Sequence, residues 1–444
     1  MPRIGVVADD LTGAMTAGVL LARSKAKTAV FFNEDNICEA ADFDAVLVST
    51  GSRAMNDKDA YEAVRKAAVK LKEGGAVYFS KRIDTTMRGR IGAEIDAMLD
   101  VLGDDAIAVI VPAMPQSRRI LVGGFSLIDG KALSETAVAQ DIKTPVRESF
   151  VPDILSEQSR RKVGQVLLSR IQKGTEETIR AFREVRAEGA QLIVADAVTL
   201  EHIRTIAEAV LLMEWNVLAA DPGPFTRMLN FKRGLLQEES DNLPPRSMKN
   251  ESKTALVIAG SATSVSENQI NALCANENHY RISVDPLRLA EGGKPAEKEI
   301  SASVERALEL LNSRYPRAVI FETALHGIKL NLAKSDGLHH YSEGTSSKLL
   351  NTGLGQIAKG ILDSAGQERI AGIYATGGDT LEAVCRQLGT AYLEMLDYVI
   401  PQADIGRSCG SYPNLPIIGK GGMTGNDGTA IEIVNRLFQE SQRP

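Results

Sequence analysis

Short runs of apolar residues recur along this chain, each followed by a stretch with helical spacing. In the first half they read "RIGVVAD", "TAVFFN", "DAVLVST", "AVYFSKRID", "AIAVIVPA", "AQLIVAD" and "NVLAAD". A run this short, bounded by turn formers, predicts a strand buried on both faces, as in a parallel sheet covered by helices. The intervening "KDAYEAVRKAAVKLKEG" and "LEHIRTIAEAVLLME" place apolar residues three and four apart, as one face of a helix requires. Strand and helix in alternation predict an α/β layered architecture.

The pattern lapses around "LLQEESDNLPPRSMKNESKT", where charge rises and two prolines adjoin. It resumes with "ALVIAG", "RISVD", "AVIFET", "IAGIYATGG" and "LPIIGKGG". A chain of 444 residues exceeds what one core serves, and its 44% apolar content is enough for two. The expected fold is therefore two α/β domains, 1–236 and 255–444, each with a mainly parallel sheet flanked by helices. Residues 237–254 are read as the linker, with a ligand cleft between the domains. The charged "SRRKVGQVLLSRIQKGTEETIRAFREVRAEG" is read as a solvated helix face or helix pair.

Composition narrows the partners. The net charge is −6 and no Lys/Arg-rich block occurs, so neither a nucleic-acid stripe nor a membrane-surface footprint is expected. Cys38, Cys274, Cys385 and Cys409 are far apart and show no metal-binding spacing, which suits a reduced compartment. No basic leader with an apolar centre and no run long enough to span a membrane is present, so the expected location is cytoplasmic. The expected partners are small molecules, and a homodimer is compatible with all of this.

In an open parallel sheet, ligands bind beyond the carboxyl ends of the strands. The first run is followed by Asp9, Asp10, Thr12 and Gly13, and "AIAVIVPA" by "MPQSRR". The "AVYFS" run leads into Lys81, Arg82, Asp84, Thr85, Thr86, Arg88 and Arg90. Arginine forks take carboxylate or phosphate bidentately, and threonine hydroxyls beside a helix start suit sugar hydroxyls and anions, so this end fits a small anionic polyol. The plainer reading is a capped helix with surface arginines.

In the second half the strand ends carry glycine and hydroxyls: Gly260, Ser261, Thr263 and Ser264; Thr376, Gly377, Gly378, Asp379 and Thr380; Lys420, Gly421, Gly422, Thr424 and Gly425. Such loops can present backbone N–H groups to phosphates. GxxxxGK[ST] is absent, as is a GxGxxG fingerprint with its downstream acid, which counts against P-loop ATPases and NAD-dependent dehydrogenases. The histidines show no HExxH or triad context, no protein metal site is expected, and "SDGLHHYSEGTSS" is read as a mobile loop.

With these residues assembled, the chain resembles the four-carbon acid sugar kinase family, which contains D-threonate, D-erythronate and 3-oxo-tetronate kinases. The resemblance runs over nearly the whole length. It rests on "ADDLTGA", "KRIDTTMRGRIGAEI", "VPAMPQSRR" and "SETAVAQDIKTPV", then "GSATSVSENQI", "ATGGDTLEAV" and "KGGMTGNDG". It implies an N-terminal domain for the acid sugar and a C-terminal domain for ATP. Asp9, Asp10, Arg82, Asp84, Thr85 and Arg88 would serve the acid sugar. Ser261, Gly377, Gly378, Asp379, Thr380, Gly421 and Gly422 would serve ATP. Two departures stand on the acid-sugar side: Met15 and Thr16 where relatives carry an acidic residue, and "PAMPQSRR" in place of "PAFPANGR".

The resulting expectation is phosphorylation of a hydroxyl on a four-carbon sugar acid by ATP with Mg2+. Asp9 or Asp10 would act as general base, Arg82 and Arg88 would hold the sugar carboxylate, and Lys420 is a candidate for the transferred phosphoryl group. Two other readings stay open: a non-catalytic sensor of a sugar acid or nucleotide, and a nucleotide-dependent ligase acting on a carboxylate.

Overall fold

The apolar runs of the first half form strands β1 (Ile4–Ala8), β2 (Thr28–Phe31), β3 (Ala45–Ser49), β4 (Tyr78–Arg82) and β5 (Ile107–Ile110). After a small antiparallel set, β6 (Arg119–Val122), β7 (Phe125–Ile128) and β8 (Lys131–Ala132), come β9 (Val163–Val166), β10 (Leu192–Ala195) and β11 (Val217–Asp221). The second half supplies β12 (Thr254–Ala259), β13 (His279–Ser283), β14 (Ala318–Glu322), β15 (Ile370–Thr376), β16 (Thr390–Ile400), β17 (Ala403–Gly410) and β18 (Pro416–Lys420). This computed structural model describes residues 3–35, 37, 41–141, 144–239, 252–325 and 329–442. The chain divides into two units, Met1–Asp241 and Asn242–Pro444, and most of the segment read as a linker lies outside the described residues.

In the first unit the strands lie in the order β2-β3-β1-β4-β11-β5-β10-β9, all parallel. Helices cover the sheet because their apolar faces need burial: in Asp57–Glu73, Ala60, Val64, Ala67 and Leu71 are buried and Asn56 caps the start. The chain runs from β1 to one side through β2 and β3, then returns to β1's other edge with β4. The order therefore reverses between β1 and β4, the kind of place where an open α/β sheet leaves a crevice.

In the second unit the order is β13-β14-β12-β15-β18-β17-β16, parallel as far as β18 and antiparallel beyond it. Its reversal falls between β12 and β15. Val257, Ile320, Tyr374, Ile418 and Phe438 belong to one apolar cluster of this unit. No helix among the described residues is long and apolar enough to cross a membrane.

Two expectations need correction. The charged segment at 159–189 is not helical throughout: it opens with β9, a half-buried edge strand whose surroundings carry arginines and lysine in place of an apolar run. The stretch at 335–347, read as a mobile loop, is in part helical, holding the end of one helix and the start of the next. Helix Leu332–Leu338 ends there, His339 stacks on Tyr341, and Asp336 accepts the Gly344 and Ser346 amides at 2.7 Å each.

Candidate functional site

Register gathers the charged residues of the first unit. Ala8 lies opposite Ser49 on one side and Arg82 on the other, and Arg82 lies opposite Asp221. The residues that follow β1, β3 and β4 therefore emerge together at the β1/β4 reversal.

Asp10 caps helix Leu11–Arg23, its Oδ1 accepting the Gly13 amide at 2.8 Å. Its Oδ2 faces Arg53 Nη1 at 2.6 Å, and the side chain remains 25% exposed. Asp9 is buried, bound by Arg53 through Nε at 2.6 Å and Nη2 at 3.1 Å, with Arg82 Nη1 at 3.3 Å from Oδ1. Burial alone would raise the Asp9 carboxyl, but the charges of Arg53, Lys81 and Arg82 outweigh it and hold the group below its usual range.

Asp84 is held in the same way. Arg88 forks onto it through Nε at 2.7 Å and Nη2 at 3.3 Å, Thr86 donates its hydroxyl, and Arg53 Nη2 stands 3.6 Å away. Burial opposes the charge on Asp84, yet Arg53, Arg88 and Arg82 together keep its carboxyl well below the ordinary range. Arg88 also reaches Asp141 at 3.3 Å. Thr85 is buried beside this cluster in sequence.

Arg53 was absent from the sequence expectation and is the hub of the cluster. It sits in a short 3-10 turn, Ser52–Ala54, beyond the end of β3. Burial opposes its charge, but Asp10, Asp9 and Asp84 outweigh that and hold the guanidinium permanently ionised. The signal was available: "DAVLVST" is an apolar run whose carboxyl end leads to "GSRAM". Beneath the cluster, Lys81 and Glu94 pair at 2.9 Å with side chains 0% and 1% exposed, and Ser52 donates to the other Glu94 oxygen. Gly13 is required here, since a Cβ would lie 2.0 Å from Arg82 Nη1. Met15 and Thr16, the departing positions, are buried in helix Leu11–Arg23, and the Thr16 hydroxyl donates to Thr12 O.

In the second unit, Ala259 pairs with Thr376 and Thr376 with Lys420, so the three glycine loops emerge side by side. Thr263 caps helix Ser264–Cys274 and donates its hydroxyl to Gly422 O at 2.7 Å, while Gln269 donates to Thr424 O at 2.9 Å. A Cβ on Gly422 would meet Ser261 Oγ at 2.4 Å, and one on Gly260 would meet Thr380 Oγ1 at 2.0 Å. Gly377 precedes helix Gly378–Gln387 at φ 103° and offers no capping side chain, so the first-turn N–H groups have no side-chain acceptor at the cap. Gly421 lies in the same loop as Gly422, and Asp379 is exposed in the first turn of that helix.

Two residues sit differently from what their chemistry alone suggests. Thr380 is buried and donates to Asn351 Oδ1 at 2.7 Å, so it fastens helix Thr345–Ala365 to the loop. Lys420 is 1% exposed and donates to Gly421 O at 2.7 Å and Thr424 O at 3.2 Å. Burial pushes its ammonium down to about 8.

The donor set fits a nucleotide, because three glycine-rich loops emerge side by side with hydroxyls among them and present an uncapped helix start. Among the described residues no group of three or more His, Cys, Asp or Glu side chains gathers as a metal cage. Asp379, a carboxylate at a phosphate-type loop, fits the hydrated Mg2+ that accompanies nucleotide phosphates.

Family models match both halves: a sugar-binding N-terminal domain over residues 4–229 and a nucleotide-binding C-terminal domain over 256–430. The chain is 36% identical to a D-erythronate kinase of Heliobacterium modesticaldum, covering 99% of this chain and 98% of that one. It is 31% identical to a D-threonate kinase of Salmonella typhimurium, covering 97% of each. A 3-oxo-tetronate kinase of Pseudomonas savastanoi pv. phaseolicola is 28% identical over 93% of this chain and 92% of that one. A crystal structure of a Haemophilus influenzae protein shares the fold with TM-score 0.70 at 20% identity, covering 97% of this chain and 98% of that one.

Proposed function

The chain belongs to the four-carbon acid sugar kinase family, and on that premise we propose that it transfers the γ-phosphoryl group of ATP to a hydroxyl of a four-carbon sugar acid. The observation that carries this reading is the division of labour between the two units. One gathers carboxylates and guanidiniums at its sheet reversal, and the other gathers glycine loops and an uncapped helix start at its own.

Phosphoryl transfer asks the protein mainly for alignment and charge stabilisation. The first unit would bind the acceptor among Asp10, Asp84, Thr85, Arg82 and Arg88, and Asp10 is the better base because its side chain stays 25% exposed while that of Asp9 is 2% exposed. The acceptor hydroxyl loses its proton to Asp10 as the new O–P bond forms and the bond to ADP breaks, and the proton then passes to solvent. Asp9 acts as a positioning residue, fixing Arg53 through two hydrogen bonds. In the second unit, Ser261, Gly377, Gly378, Gly421 and Gly422 would receive the phosphates through hydroxyl and backbone N–H groups, with Thr380 bracing them. Asp379 would hold Mg2+ through water, and the ion screens phosphate charge when bound.

An assay of ADP release with D-erythronate, D-threonate and 3-oxo-tetronate tests this reading. Turnover with at least one of them is expected, and an ATPase rate unchanged by all three would rule the reading out. Asp10→Asn is expected to lower turnover by about 100-fold or more with ATP affinity retained. Retained turnover would remove Asp10 as the base.

A further inference from the structure

Resting on the kinase reading, we propose that Arg119 is the residue that receives the carboxylate of the sugar acid. The arginines that the sequence offers for this task are already engaged. Arg88 places both arms of its fork on Asp84 and a third nitrogen on Asp141. Arg82 directs Nη1 between Asp9 and Asp10 at 3.3 Å each. Its Nε has no partner among the described residues, but Arg82 is 6% exposed and its Nη1 is held between two protein carboxylates. Arg53 faces three carboxylates. Each of these guanidiniums serves a protein carboxylate first, and a substrate anion would have to displace it.

Arg119 is different. It opens β6, after the loop and 3-10 turn Pro115–Ser117 that follow β5, where Arg118 at φ 57° turns the chain. That turn separates the adjacent arginines: Arg118 is exposed and pairs with Asp129 at 3.1 Å, whereas Arg119 is half-buried. Backbone bonds between Met114 and Arg119 fix the turn. Arg119 Nη1 donates to Ser117 O at 2.7 Å, and its buried Nε has no hydrogen-bond partner among the described residues. The charges of Asp84 and Asp129 favour its ionised form and that of Arg88 opposes it, so it borders the cluster, yet no ion pair to it within contact distance is found among the described residues. Burial pulls its guanidinium downward despite the two nearby carboxylates, so its charge is only partly compensated within the protein. A guanidinium in this state gains most from a planar carboxylate, which supplies both acceptors and charge.

Full-length wild type, Arg119→Met and Arg119→Lys are compared in two ways: thermal shift with each tetronate and with ATP, and steady-state kinetics. Arg119→Met is expected to lose the tetronate shift, keep the ATP shift, and raise KM for the acid about 10- to 100-fold with kcat within about threefold. Arg119→Lys is expected to recover part of the affinity. A KM unchanged in Arg119→Met, or equal loss of the acid and ATP shifts, would overturn the proposal, as would a wild type that no tetronate stabilises. Tetronate binding that depends on Arg119 without any ADP release would sink the kinase reading while leaving this assignment standing. Turnover that ignores Arg119 would do the reverse.

Discussion

Arg53 binds Asp9, Asp10 and Asp84 at once, so its removal leaves buried carboxylates facing one another. Breaking such a cluster by deleting one partner typically costs about 3 to 5 kcal/mol, and Arg53→Met is expected to lose stability in that range by urea denaturation. The pH dependence has a definite sign. Asp9 and Asp84 are held below the ordinary value of 3.8, so the stability they contribute is fully present above that value and is lost as pH falls through the lowered ones. Arg53→Met should flatten this acid limb. An acid limb as steep as that of wild type would show that Arg53 is not what depresses these groups. At Gly13, alanine would drive a Cβ into the Arg82 guanidinium, and a loss of kcat/KM of at least about 10-fold is expected with ATP affinity unchanged.

Among the elements, the loops after β12, β15 and β18 are braced from behind, and the braces set what each substitution costs. Gly260→Ala would push on Thr380, which is buried and tied to Asn351, so a weakening of ATP binding by about 10-fold is expected in calorimetry. Lys420 gives a second handle. Its ammonium is depressed from 10.5 to about 8, so between those values the unfolded chain holds a proton that the folded one has lost. Stability should therefore rise with pH across that window, by about 1 to 3 kcal/mol, and Lys420→Met should abolish the rise in denaturation curves. The all-apolar strands were plain in the sequence because both of their faces are buried. Strands β9, β16 and β17 were not, since β9 is half-buried, β16 sets half-exposed Tyr392 and Glu394 among buried positions, and β17 breaks its buried run with half-exposed Arg407. A strand that buries one face carries charge on the other, and its apolar run is broken.

For the whole molecule, each ligand is expected to raise the melting temperature independently, by about 2 to 3 kcal/mol of stabilisation at a hundredfold excess over Kd. Asp10→Asn should keep the ATP shift. Sequence alone determined the two α/β halves, because apolar runs and helical spacing are local patterns that a sheet covered by helices demands. It also determined that charge collects after β1 and β4 and glycine after β12, β15 and β18, since strand-end residues are read directly from where each apolar run stops. Only the tertiary structure decided which of those ends meet. Strand order set the reversals at β1/β4 and β12/β15 and brought Arg53 from an unmarked turn into the centre of three carboxylates. It also decided which charges are spent and which are available. Arg82, Arg88 and Arg119 look alike as letters, and the difference between a guanidinium paired closely with protein carboxylates and a half-buried one whose Nε finds no acceptor among the described residues arises from packing between residues far apart in the chain.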